Sequence, residues 1–147
     1  MPATARHLRA SAHAAIHYGL QAGRTYADTD GRLCLVGSIY VGVTGHIPDV
    51  FGTDPKAATD LIEDNPDVMA AVWAVSNAIG TDAPTDSETG APCPIEHLWY
   101  WQLDRRMDTG TPPTPAETVG LLLRAANAEY ARTGTLAVAL PGQRAAA

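Results

Sequence analysis

The chain is poor in lysine: of its 10 basic residues all but Lys56 are arginines. It also lacks a basic run, and Arg105-Arg106 is the only basic pair. Nucleic-acid binders gather positive charge on one face. Here 16 acidic residues outweigh the 10 basic ones, giving a net charge of −6. Such a field repels phosphate, so DNA and RNA are disfavoured as partners. Cysteine is equally scarce. Two residues, Cys34 and Cys93, are too few for a disulfide framework. No apolar window approaches the roughly 20 residues of a membrane span, the longest being 33–43. Residues 1–22 carry Arg and His throughout, without the apolar run of a secretory signal. The expectation is a cytoplasmic protein with no membrane partner. Phosphate loops and dinucleotide fingerprints are missing as well, so no cofactor is expected.

What is present is globular. Hydrophobic residues make up 46% and charged residues 18% of 147 residues, the size of one domain with an ordinary core. The organising stretch is 95–124. It opens on Trp99-Tyr100-Trp101 and closes on Thr114-Pro115-Ala116-Glu117, a full capping box that starts a helix predicted to reach about Thr133, with Gly134 as its cap. The aromatics need a cover and this helix has an apolar face, so the two are expected to pack together.

Upstream, Thr4 is positioned to cap a first helix to Tyr18, with Leu8, Ala12, Ala15 and Ile16 as its stripe and Gly19 as its stop. Arg24-Thr25-Tyr26-Ala27, the turn Asp28-Thr29-Asp30-Gly31 and Arg32-Leu33-Cys34 read as a short β-hairpin. Residues 35–43 are apolar nearly all round. Their spacing is helical, while their β-branched content keeps a strand reading open. Residues 46–52 read as a loop. Asp54-Pro55 and Asn65-Pro66 each pair a cap with a helix-starting proline, and Val68, Val72, Val75 and Ile79 form the second helix's stripe, flanked by Met69 and Trp73. Residues 80–94 have no apolar period, and a connection of that length is either functional or mobile. A short helix over 95–104 and a loop over 107–113 complete the body. The fold class is therefore mainly α, about five helices packed around a central apolar helix, with one hairpin. Residues 1–134 form a single domain and 135–147 an apolar, Ala-rich tail.

The helix ending at Gly19, the stretch Tyr26-Ala27-Asp28-Thr29-Asp30-Gly31-Arg32-Leu33-Cys34-Leu35-Val36-Gly37, and the aromatic segment before Thr114-Pro115-Ala116-Glu117-Thr118-Val119 together resemble a family of small proteins that share a domain of unknown function. That family occurs in GC-rich actinobacteria and their phages, and scarce lysine with abundant Ala, Arg, Gly and Asp fits such a genome. The family's compact Trp-Asn-Asp before the cap is replaced here by Trp101-Gln102-Leu103-Asp104, so any role of the Asn is not carried over. The resemblance implies a fold relation and supplies no activity.

Chemistry-bearing residues have plain structural readings beside their functional ones. His13 and His17 stand one turn apart, as metal ligands do. Arg6 shares their face and Ala14 occupies the place a glutamate would take, so a solvated face is the reading and no metal is expected. Cys93 and His97 have the chemistry of a nucleophile and its base, but Cys93 sits between prolines; the plainer reading puts His97 on a helix's outer face. Successive helical residues turn through about 100°, so one of Trp99, Tyr100 and Trp101 must face outward. Gly37 and Gly42 read as close-packing positions. The binding candidates are Trp99, Tyr100, Trp101, His97 and Asp104, with Leu136, Val138 and Leu140 of the tail. The leading function is a non-enzymatic interaction or accessory protein that binds another protein or itself, for example an assembly subunit. The rival is a small hydrolase or small-molecule enzyme with its site near His97–Asp104.

Overall fold

The computed structural model describes residues 2–23, 25–109 and 113–139, with backbone alone at 104–109 and 134–139. Among the described residues there are seven helices: α1 (Ala3–Tyr18), α2 (Leu35–Thr44), α3 (Val50–Thr53), α4 (Pro55–Glu63), α5 (Pro66–Ala78), α6 (Pro94–Thr109) and α7 (Pro115–Ala139).

Local chemistry sets most of their starts. The Asp54 carboxylate accepts from the Ala57 N–H, and Asn65 accepts from Asp67 and Val68, each with proline in the first turn. Thr114 and Glu117 close the capping box in both directions, at 3.1 and 3.3 Å. Cys34 caps α2, its sulfur accepting from Gly37 at 3.3 Å, and is buried as expected. Residues 35–44 are helical, and every position from Leu35 to Val41 is buried. The first helix departs from its expected start: it begins at Ala3 behind Pro2, with no side-chain cap from Thr4.

α1 packs on α2, α5 and α7, while α5 also meets α2, α4, α6 and α7. α1 and α2 approach closely. Ser11 is fully buried there, its hydroxyl donating to His7 O at 2.7 Å and to Ile39 O at 3.5 Å. Gly42 lies directly against it. A second core line is aromatic. Trp99 meets Tyr26 edge-on at 5.4 Å, Tyr26 lies 5.3 Å from Phe51, and Phe51 lies 5.0 Å from Tyr40.

Several expectations are corrected. The ring shown against Trp99 of α6 is Tyr26, and α6 packs chiefly on α5 and α2, while α7 lies along α1 and α5. The reason is that α7 spends its buried face, Leu121, Leu122, Ala125 and Ala126, on those two helices. Ile16 stands 67% exposed, because α1 turns Ser11 and Ala14 into the core instead. The stretch read as a loop contains α3, which buries Phe51. α6 continues past Asp104 to Thr109, and α7 runs through Gly134 to Ala139.

The hairpin reduces to an isolated antiparallel bridge between Ala27 and Leu33. Leu33 shares its backbone with another segment, donating to Gly19 O and accepting from Gln21 N–H, and Ala27 donates to Phe51 O. With those groups committed elsewhere, two strands cannot ladder further.

Candidate functional site

His97 is the most constrained polar residue among the sequence candidates. It is 4% exposed on α6, contrary to the outer-face reading. Nδ1 lies 2.6 Å from Ser76 Oγ on α5, and Nε2 lies 2.8 Å from Thr81 Oγ1 in the following loop. A neutral imidazole offers one donor and one acceptor, so one hydroxyl donates to the ring and the other accepts. The ring thereby ties α5, α6 and the 80–94 connection together.

That connection is itself organised. Asp86 N–H donates to Ala91 O, Gly90 N–H to Asp86 O and Cys93 N–H to Pro84 O. The Asp86 carboxylate accepts from Glu88 and Thr89.

This arrangement does not provide the nucleophile–base pair the sequence raised. Both His97 nitrogens are engaged by hydroxyls, neither by Cys93. Burial pushes the Cys93 thiol above its ordinary pKa, with Glu96 and Glu63 adding to the rise, which disfavours the thiolate a nucleophile needs. Ser76, although 2.6 Å from a histidine nitrogen, is buried in α5 and closed off from substrate. Cys34 is more inert still, its pKa pushed up to about 12 by burial.

Burial also pushes the His97 pKa below its usual value, with Asp82 partly opposing. The unfolded chain takes up this proton near pH 6.5, whereas the folded ring resists it until lower pH. In that window the unfolded state binds more protons, so stability falls as pH drops below about 6.5. Urea midpoints measured from pH ~7.5 down to ~5 should decline, and His97→Gln should flatten this dependence. An equally steep decline in the variant would assign the effect to other groups.

The aromatic triplet divides as helical geometry requires. Trp99 and Trp101 pack against the core, while Tyr100 is 46% exposed. His13 and His17 are exposed on α1. The side chains of Asp104, Leu136 and Val138, and all of Leu140, lie outside the described residues, as do Arg24 and the side chains of Arg105 and Arg106. Among the described residues no helix is long and apolar enough to cross a membrane, and no group of three His, Cys, Asp or Glu is placed to hold a metal ion.

Two surfaces were not singled out from the sequence. The first is on the distal part of α7. Arg9 donates to Asn127 Oδ1 at 3.1 Å, and Val119 and Leu123 share a shallow groove with His13 and Ile16, so α1 and α7 run antiparallel. Continuing that register puts Ala3, the start of α1, beside Thr133, and α7 proceeds beyond it. From Asn127 to Thr133 every residue except Glu129 is exposed, with Tyr130 at 55%. The second surface is a groove beside Trp73. Its one sequence signal was the pair Met69 and Trp73, which flanks the buried stripe of α5.

Comparison with curated proteins and with solved structures finds no match. A family model, that of a family of unknown function designated DUF6197, matches residues 1–128. The matched segment takes in α1 through α6 and the packed part of α7. On that match the chain belongs to the DUF6197 family of unknown function.

Proposed function

We propose that this protein is a non-enzymatic interaction protein and that the distal half of α7 is its binding element. The observation that carries this reading is the exposed run 127–133 on a helix of 25 residues. At about 1.5 Å per residue the helix is some 37 Å long, and its second half has little of the body alongside. Helices draw most of their stability from burying a face, so a projecting end that carries Tyr130, Leu136 and Val138 gains most from a partner. A second copy of the chain is the simplest partner, in the manner of an assembly subunit of a phage or another complex. Tyr100 and Trp101 on α6 form a secondary candidate surface.

Light scattering coupled to size exclusion tests the reading, comparing the full chain with a version ending at Ala128, which lacks Tyr130 and everything after it. Expected is an oligomer for the full chain and a monomer of unchanged melting temperature for the shortened one. Two monomers of equal stability would remove the distal helix from the interface. Tyr130→Asp in the full chain is a second check and should shift the same equilibrium.

A further inference from the structure

A groove of about 310 Å³ lies where the end of α4, one edge of α5 and residues 91–95 meet. Its apolar lining is Met69 and Trp73, one turn apart on α5, facing Pro92, Pro94 and Ile95. Trp73 is 37% exposed, although a side chain of its size is ordinarily among the more buried. Ligand pockets span roughly 300–1,000 Å³, so this one suits an inserted side chain better than a cofactor.

Carboxylates rim the groove. Glu63 and Asp86 line it, and Glu63 and Glu96 both act electrostatically on the thiol of Cys93, another of its lining residues. Among the described residues no Lys or Arg forms an ion pair with any of these three. The wider sequence explains why. Between Lys56 and Arg105 there are nine acidic residues and no Lys or Arg, so the remainder of the chain is net positive. The chain's negative excess therefore falls within α4, α5, the 80–94 connection and α6, the segments that also supply the groove beside Trp73.

We propose that this groove docks a basic amphipathic segment of another protein, with an apolar anchor residue against Trp73 and Met69 and Lys or Arg side chains on Glu63, Asp86 and Glu96. Charge complementarity selects the partner: uncompensated carboxylates around an apolar floor repel acidic segments and steer cationic ones. The anchor supplies affinity, since aromatic pockets sheltered from water carry most binding energy at interfaces. The surface lies on α4–α6 and includes no residue of α7, so shortening the exposed distal end of α7 removes none of its lining.

The probe is a short fluorescein-labelled amphipathic peptide of Leu and Lys, followed by fluorescence anisotropy on the full chain. Saturable binding that weakens with salt is expected. Trp73→Ala should weaken it about tenfold or more, and Glu63→Gln with Asp86→Asn should weaken it and flatten the salt dependence. A Lys-only peptide should bind less tightly and ignore Trp73→Ala. These substitutions are at exposed or half-buried positions, and unchanged circular dichroism verifies the fold. No binding at low salt, or affinity indifferent to both variants, overturns the proposal. Salt-sensitive self-association abolished by Trp73→Ala would also overturn it, because the occupant would then be a second copy, through the basic face of α1.

Discussion

Gly42→Ala is expected to lower the urea midpoint sharply, costing about 3 kcal/mol or more with an unchanged m-value. In an exposed helix the same change would help, since alanine is favoured over glycine by up to about 1 kcal/mol. Here the added Cβ would stand 2.6 Å from Ser11 Cα and nearer still to Ser11 N and Oγ. Two of those atoms are backbone, so no rotamer change relieves the clash; α1 and α2 must move apart. Overpacking a dense core typically costs 1–3 kcal/mol, and separating two helices that share a buried seam lies at or above the top of that range. Two controls sharpen the result. Gly52→Ala should be nearly silent, because its Cβ would meet only Ala27 O at 3.7 Å. Ser11→Ala should not rescue Gly42→Ala, because it removes Oγ and leaves N and Cα in place. A mild effect at Gly42 would mean that the helices do not cross where the structure puts them.

Phe51→Ala should be comparably severe, at about 3–5 kcal/mol by analogy with other buried Phe-to-Ala changes. Phe51 is the only phenylalanine of the chain and is fully buried. It holds the middle of the line from Trp99 through Tyr26 to Tyr40. Removing the ring opens a cavity at the joint of α3, α2 and the Tyr26 segment, and it withdraws two aromatic contacts beyond the lost transfer energy. Domains of this kind have about 5–15 kcal/mol of stability in total, so the variant should sit near its unfolding transition at room temperature. Phe51→Leu keeps most of the volume and should cost far less. Thermal melts of the two variants decide the matter: similar losses for Leu and Ala would place the cost in the short helix α3 and not in the aromatic line.

The sequence by itself determined the capped starts of α4, α5 and α7 and the stops of α1, α2, α4 and α5. A cap is a bond between neighbours three residues apart, so Asp54, Asn65 and Thr114 with Glu117 declare it without reference to the rest of the fold. Gly45 likewise ends α2 at φ 84°. The mainly helical class and the close-packing role of Gly42 were legible for the same local reasons. The concentration of acidic residues between Lys56 and Arg105 was also in the sequence, but its meaning depended on which residues surround Trp73.

The tertiary structure alone decided what each face meets. Helical periodicity marks His97 as one position on a turn and says nothing of Ser76 and Thr81, which arrive from 21 and 16 residues away. It allowed the aromatics of α6 to pack on α7, yet Tyr26 is the ring beside Trp99, 73 positions earlier. It made Ile16 part of a stripe, and with Ser11 turned against α2 that residue is left in solvent while Leu8, Ala12 and Ala15 stay buried. Burial and hydrogen bonding between distant segments are set by which surfaces compete for the core. That competition is settled only when every helix is in place.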